Sequence, residues 1–109
     1  MWRSLLLALV VAGCSSPVAG GSVDGPAVFA AACATCHGST GQPPASMAAA
    51  LGVRDLTSAE FVARRTPALI EAQVRHGSTN QKMPAFVGAM TDDQIRAVAA
   101  YVMTLGRSP

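Results

Sequence analysis

Two thiols three residues apart, followed at once by an imidazole, stand together in Cys33-Ala34-Thr35-Cys36-His37. Near a helix end, thiols at that spacing can each add to one vinyl group of a haem, and the next residue then turns its ring nitrogen toward the iron. The links hold the cofactor without relying on affinity and make it part of the core. A thioredoxin-type dithiol or half of a zinc site would use the same pair. No strand-helix alternation surrounds it, however, no second cysteine pair follows, and His76 alone does not complete a tetrahedral zinc site. The pattern points to one covalent haem c, with Cys33 and Cys36 as thioether donors and His37 as an iron ligand.

Iron then needs a second axial ligand. Met47, Met83, Met90, Met103 and His76 are the candidates. Met83 is preferred, because Pro84 in Lys82-Met83-Pro84-Ala85-Phe86 stiffens an irregular stretch that must hold a thioether in place. Core filling is the usual fate of the other methionines. His76 reads as a solvated residue at a helix end, where the dipole favours its protonated form. Ligation by two histidines would give a lower potential than a histidine and methionine pair.

The third cysteine, Cys14, needs its own explanation, since an odd count cannot close into internal disulfides alone. It follows one basic residue, Arg3, an apolar run from Leu5 to Ala12, and Gly13. That run is too short to span a bilayer as a helix and reads as an export signal. Val11-Ala12-Gly13-Cys14 resembles the bacterial lipobox, which implies a diacylglycerol thioether on Cys14. The expected organisation is a signal peptide over 1–13, a lipidated flexible tether over 14–23 and one domain over 24–109. If Gly/Ser-like, the tether would reach roughly 16 Å on average. Location is then periplasmic and membrane-anchored, and Ser15-Ser16 without an aspartate favours the outer membrane by resemblance to proteobacterial lipoproteins.

Positioning these residues requires helices. Asp24 or Gly25 caps a first helix with Pro26 in its first turn and Val28, Phe29, Ala32 and Cys33 along one face. Thr57-Ser58-Ala59-Glu60 has capping-box spacing and opens a helix toward Arg65. Thr66-Pro67 starts another, with Leu69, Ile70, Gln73 and Val74 in helical period up to a cap at Gly77. Thr91-Asp92-Asp93-Gln94 opens the last helix. Its Ile95, Val98, Ala99, Val102 and Leu105 recur at three and four, and Gly106 closes it. Nothing alternates with period two, so the domain is all-α, with three to five short helices around the haem.

The chain has 109 residues and a formal charge of +2, with no basic run and no aromatic ladder, which excludes a nucleic-acid footprint. Arg54, Arg64, Arg65, Arg75 and Lys82 outnumber Asp55, Glu60 and Glu71 between Arg54 and Lys82. That excess reads either as steering toward an acidic redox partner or as an ordinary solvated surface.

Taken together, the region from Gly25 to Leu105 resembles the class I single-haem cytochrome c family, especially its short bacterial members. Gly25 and Phe29 stand where the family places a glycine and an aromatic on its first helix, and Val98 and Tyr101 match its last helix. The resemblance implies that these two helices cross closely and that Met83 is the distal ligand. It also implies a proline carbonyl on the free nitrogen of the proximal histidine, here from Pro43 or Pro44 with Pro44 preferred, and Arg54 as a haem propionate donor. The function expected is one-electron transfer by a monomeric carrier rather than an enzyme, with redox proteins as partners. A membrane-tethered subunit of an oxidase or dehydrogenase complex, and a haem peroxidase or gas sensor, are the alternatives.

Overall fold

Gly25 settles how the chain folds, because a side chain there would run into another helix. A Cβ at this position would meet the Ala97 carbonyl oxygen and lie 2.9 Å from Tyr101 Cβ. The computed structural model describes residues 18–107 and contains six helices. They are α1 (Gly25–Ala32), α2 (Ala34–His37), α3 (Ala45–Leu51), α4 (Ala59–Arg64), α5 (Pro67–His76) and α6 (Asp92–Val102). No strand occurs among the described residues, only an isolated bridge between Val87 and Met90. The expected signal peptide and Cys14 lie outside the described residues.

Helix α1 begins where Asp24 Oδ2 accepts the Ala27 N–H, with Pro26 in the first turn. Its buried residues Gly25, Val28 and Phe29 lie against α6, as the resemblance implied. The Phe29 and Tyr101 rings meet edge to face, 5.3 Å between centroids and 65° between planes. Val28, Phe29, Ile95 and Val98 are the largest fully buried side chains. Each contributes about 1.5–3 kcal/mol by leaving water.

Helix α6 carries the complete capping box at Thr91 and Gln94. It ends at Val102, short of Gly106, because the chain tightens into turns in which Thr104 donates to the Tyr101 carbonyl and Leu105 to that of Val102. The start of α4 shifts too. Ser58, not Thr57, caps it, since Thr57 donates both N–H and Oγ1 to Asp55 Oδ1. Six helical segments replace the three to five expected. The extra ones are the single turn α2 and the alanine-rich α3, whose short spans carry no apolar period to read.

Two further expectations change. The segment read as a tether is docked on the domain from Ala19 onward. Ala19 joins the core, and the buried Gln94 donates through Nε2 to the carbonyls of Gly20 (2.8 Å) and Ser22 (3.0 Å). The basic residues between Arg54 and Lys82 are also placed by the fold. Arg64 pairs with Glu60 and Arg75 with Asp92, while Arg65 is only 7% exposed. Arg65 donates through Nη1 to the carbonyls of Val102 and Leu105, closing the C-terminal end of α6. That leaves Arg54 and Lys82 exposed and outside the ion pairs found among the described residues.

Candidate haem site

Cys33 sits where α1 stops. Its backbone (φ −122°, ψ −36°) breaks the helix before one further turn, α2, carries Cys36 and His37. Both cysteines are free thiols and half-buried, and Cys33 packs against the core. Burial, with Cys36 beside it, pushes the Cys33 thiol up to about 11. A dithiol exchange centre needs the opposite shift, so this pair is poorly suited to thiol redox work. No group of three or more His, Cys, Asp or Glu side chains converges to hold a bare metal ion among the described residues.

His37 Nδ1 donates to the Arg54 carbonyl oxygen at 3.2 Å. A carbonyl only accepts, so the proton is on Nδ1 and the Nε2 lone pair is available to a metal. Burial lowers the His37 pKa, opposed in part by that bond, which keeps the ring neutral as a ligand must be. The sequence reading gave this orienting role to Pro44. In the structure the Pro44 carbonyl instead accepts the Met47 and Ala48 N–H groups and starts α3. Arg54 thus reaches the site through its backbone, while its side chain is exposed.

The Met83 loop is braced from both sides. Ser78 donates its N–H to the Met83 carbonyl, and its Oγ accepts the Met83 N–H, each at 2.9 Å. Asn80 Oδ1 accepts the Lys82 N–H, and Gln81 adopts φ 60°, the only positive φ outside glycine among the described residues. Gly77 ends α5 at φ 70°, and a side chain there would strike the Met83 carbonyl and Ala85 nitrogen. Met83 is half-buried and packs against the core. Met90 is buried in the core, and Met103 and Met47 are half-buried. His76 is exposed and lines, with Met83, Gln81 and Pro84, a cleft of about 350 Å³. None of Cys33, Cys36 or His37 lines that cleft.

Sequence reasoning passed over Ser78 and Arg65. Ser78 offered only a loop polar residue. Arg65 had no local signal at all, since its partners lie 37 and 40 residues away.

The donor set fits a covalently attached haem: two unpaired thiols on adjoining turns and a neutral imidazole with its second nitrogen oriented by the backbone. Fold and site define a small helical haem-carrying domain. The model of the family described as cytochrome c oxidase, cbb3-type, subunit III matches residues 23–102. The cytochrome c6 of Thermosynechococcus vestitus is 34% identical over 100 residues, covering 92% of this chain and 84% of that protein. That of Leptolyngbya boryana is 42% identical over 78 residues, covering 70% and 82%. The solved structure of the KustC0563 c-type cytochrome superposes with a TM-score of 0.66 at 29% identity, over 73% of this chain and 94% of that one.

The chain belongs to the class I c-type cytochromes. It carries one covalently bound haem c with its iron, and its work is haem-based electron transfer.

Proposed function

We propose a one-electron carrier with His37 and Met83 as axial ligands, tethered by an acylated Cys14 outside the cytoplasmic membrane. When bound, haem supplies the ferric/ferrous couple. Cys33 and Cys36 hold it covalently, His37 presents Nε2 with its ring fixed by the Arg54 carbonyl, and Met83 presents a thioether from a loop that resists rearrangement. The observation that carries the axial reading is the paired Ser78–Met83 bonding, which fixes the Met83 backbone in both directions. Filling both axial positions leaves no open site for substrate, which supports a carrier rather than an enzyme. The exposed Arg54 guanidinium is the propionate donor in this reading.

Absorption spectra of oxidised and reduced holoprotein, wild type and Met83→Ala, test the ligand. Expected is covalent haem in both with a changed ferric ligand field in the variant; an unchanged ligand field overturns the assignment of Met83. Peroxide turnover by the unmodified protein would overturn the carrier reading.

The lipobox resemblance supports a periplasmic lipoprotein, with Ser15-Ser16 favouring the outer membrane. No helix among the described residues is long and apolar enough to cross a membrane, so under this reading the acyl chains provide the attachment. Mass spectrometry of the mature amino terminus tests it. A second reading, a dedicated subunit of a membrane oxidase, draws on the family description, which names an oxidase subunit. Co-purification with a membrane complex in mild detergent would favour it over a monomeric carrier with transient partners.

A further inference from the structure

Residues 103–106, the turn that follows α6, join the buried Arg65 to the two segments that hold His37. Arg65 Nη1 donates to the Leu105 carbonyl and, at 3.1 Å, to that of Val102. The Leu105 side chain is buried and lies against Gly41, where an added Cβ would come within 2.9 Å of Leu105 Cδ1 and 3.3 Å of Leu56 Cβ. Gly106 packs as tightly on Thr57, since a Cβ there would be 2.9 Å from both the Thr57 Cα and its carbonyl oxygen. The turn therefore has no room to move toward either neighbour.

Those neighbours are the segments that meet at His37. Gly41 closes the turn that leaves His37, its N–H bonded to the Gly38 carbonyl at 3.2 Å. Its own carbonyl accepts the Leu56 N–H at 2.8 Å, which ties residues 38–41 to residues 54–57. Asp55 Oδ1 stiffens the second segment by accepting both the N–H and the hydroxyl of Thr57. Two residues before Leu56, the Arg54 carbonyl accepts the His37 Nδ1–H. That bond is exposed, and water competes for both of its groups, so its persistence depends on how firmly residues 54–57 are seated.

We infer that Arg65 is a positioning residue for electron transfer: by holding the turn after α6 against Gly41, Leu56 and Thr57, it keeps the Arg54 carbonyl on the His37 ring. The inference rests on the axial ligation by His37 and Met83 proposed above. Arg65 Nη2 is buried with no partner among the described residues, so both bonds to the α6 end come from Nη1 alone. A lysine amine at that point can donate both bonds, and a methionine can donate neither. A carbonyl on Nδ1 raises the donor strength of the ligating nitrogen, so loosening it weakens donation to ferric iron and raises the potential.

The test uses ferrous holoprotein and follows by NMR the His37 Nδ1–H resonance, whose downfield shift reports its hydrogen bond, with amide exchange at Leu56 and Val98. In Arg65→Met that resonance should move upfield, and Leu56 exchange should accelerate about tenfold more than Val98 exchange, the order expected for loss of a charge-assisted bond. Arg65→Lys should restore most of both. Leu105→Ala keeps the carbonyl that Arg65 holds but removes the side chain on Gly41. It changes no charge, so its potential reads the ligand directly and should rise. Gln94→Ala breaks the capping box at the other end of α6 and measures instability alone, so its His37 resonance should match wild type. An upfield shift in Gln94→Ala equal to that of Arg65→Met overturns the inference. So does a wild-type His37 resonance in folded Arg65→Met, or an unchanged potential in Leu105→Ala, which decides the matter if Arg65→Met does not fold. A wild-type His37 ring without the large upfield ring-current shift of a haem ligand overturns the ligand assignment, and the inference with it.

Discussion

The Arg54 carbonyl oxygen accepts the Nδ1–H of His37 at 3.2 Å, across 17 residues of sequence. One residue thus offers a main-chain acceptor that orients the His37 ring and, in the function proposed above, an exposed guanidinium for a haem propionate. Orienting partners of this kind tune a ligand without touching the metal.

Arg54→Ala separates the two roles. The carbonyl survives the substitution, so the ligand field of the haem should not change. Loss of a positive charge near the haem favours the ferric form and lowers the potential. At an exposed site the effect is at most about 1 kcal/mol, or about 40 mV for one electron by the conversion that makes 30 mV worth 1.4 kcal/mol for two. Potentiometric titration with parallel spectra checks both halves, and a changed ligand field would show that the side chain also holds the proximal loop.

Met83→His should retain covalent haem and lower the potential, because imidazole donates better than thioether to ferric iron. The drop is a fraction of the roughly 0.8 V range over which axial ligands set haem potentials. Potentiometry measures it. A potential equal to that of wild type would mean that position 83 does not reach the iron.

Gly25→Ala should destabilise the holoprotein by about 1–3 kcal/mol, the usual cost of overpacking. Tyr101→Ala should not rescue it. The atoms in the way are the Ala97 carbonyl oxygen and Tyr101 Cβ, and both remain after truncation. Chemical denaturation of the two single variants and the double variant, arranged as a cycle, decides this.

Arg65→Met should cost about 2–3 kcal/mol, from loss of charge-assisted hydrogen bonds to two carbonyls at the end of α6. Arg65→Lys should recover part of it by keeping the cation at the helix C-terminus. Denaturation midpoints check the order of the three proteins. Burial and the nearby Arg107 lower the Arg65 pKa, yet an arginine remains charged throughout the range of such measurements.

Arg75 beside Asp92 holds that carboxyl below its ordinary 3.8. A depressed folded value means that the unfolded chain binds the proton more readily. The contribution is therefore present above 3.8 and is lost as the pH falls through the lower folded value. Asp92→Asn should flatten this acid limb and leave a slightly less stable protein at neutral pH. Thermal melts across the acid range test the sign. The pair is largely exposed on the Asp92 side, so the effect is modest.

Much of the molecule was legible from local signals. The cap at Thr91 and the apolar period of α6 stand as read, Asp24 rather than Gly25 caps α1, and the helix expected to start at Thr66-Pro67 does so with Thr66 as its cap, because capping and amphipathicity act within a few residues. The one-turn α2 and the short α3 were not legible. A helix of one or two turns has too few positions to express a period, and these two hold their place by connection to their neighbours.

The amino-acid sequence by itself pointed to covalent haem, because the spacing of Cys33, Cys36 and His37 is the pattern that thioether attachment and proximal ligation would use. The close crossing of α1 and α6 was implied by the resemblance that Gly25, Phe29, Val98 and Tyr101 carry to the class I cytochrome c family. Only the tertiary structure decided that Arg54 rather than Pro44 faces His37, that Arg65 is a buried clamp rather than part of a basic surface, and that Gln94 pins the amino-terminal segment. Each of these depends on a backbone carbonyl as acceptor. Every residue has one, so no residue type announces it, and only the meeting of distant segments selects which is used.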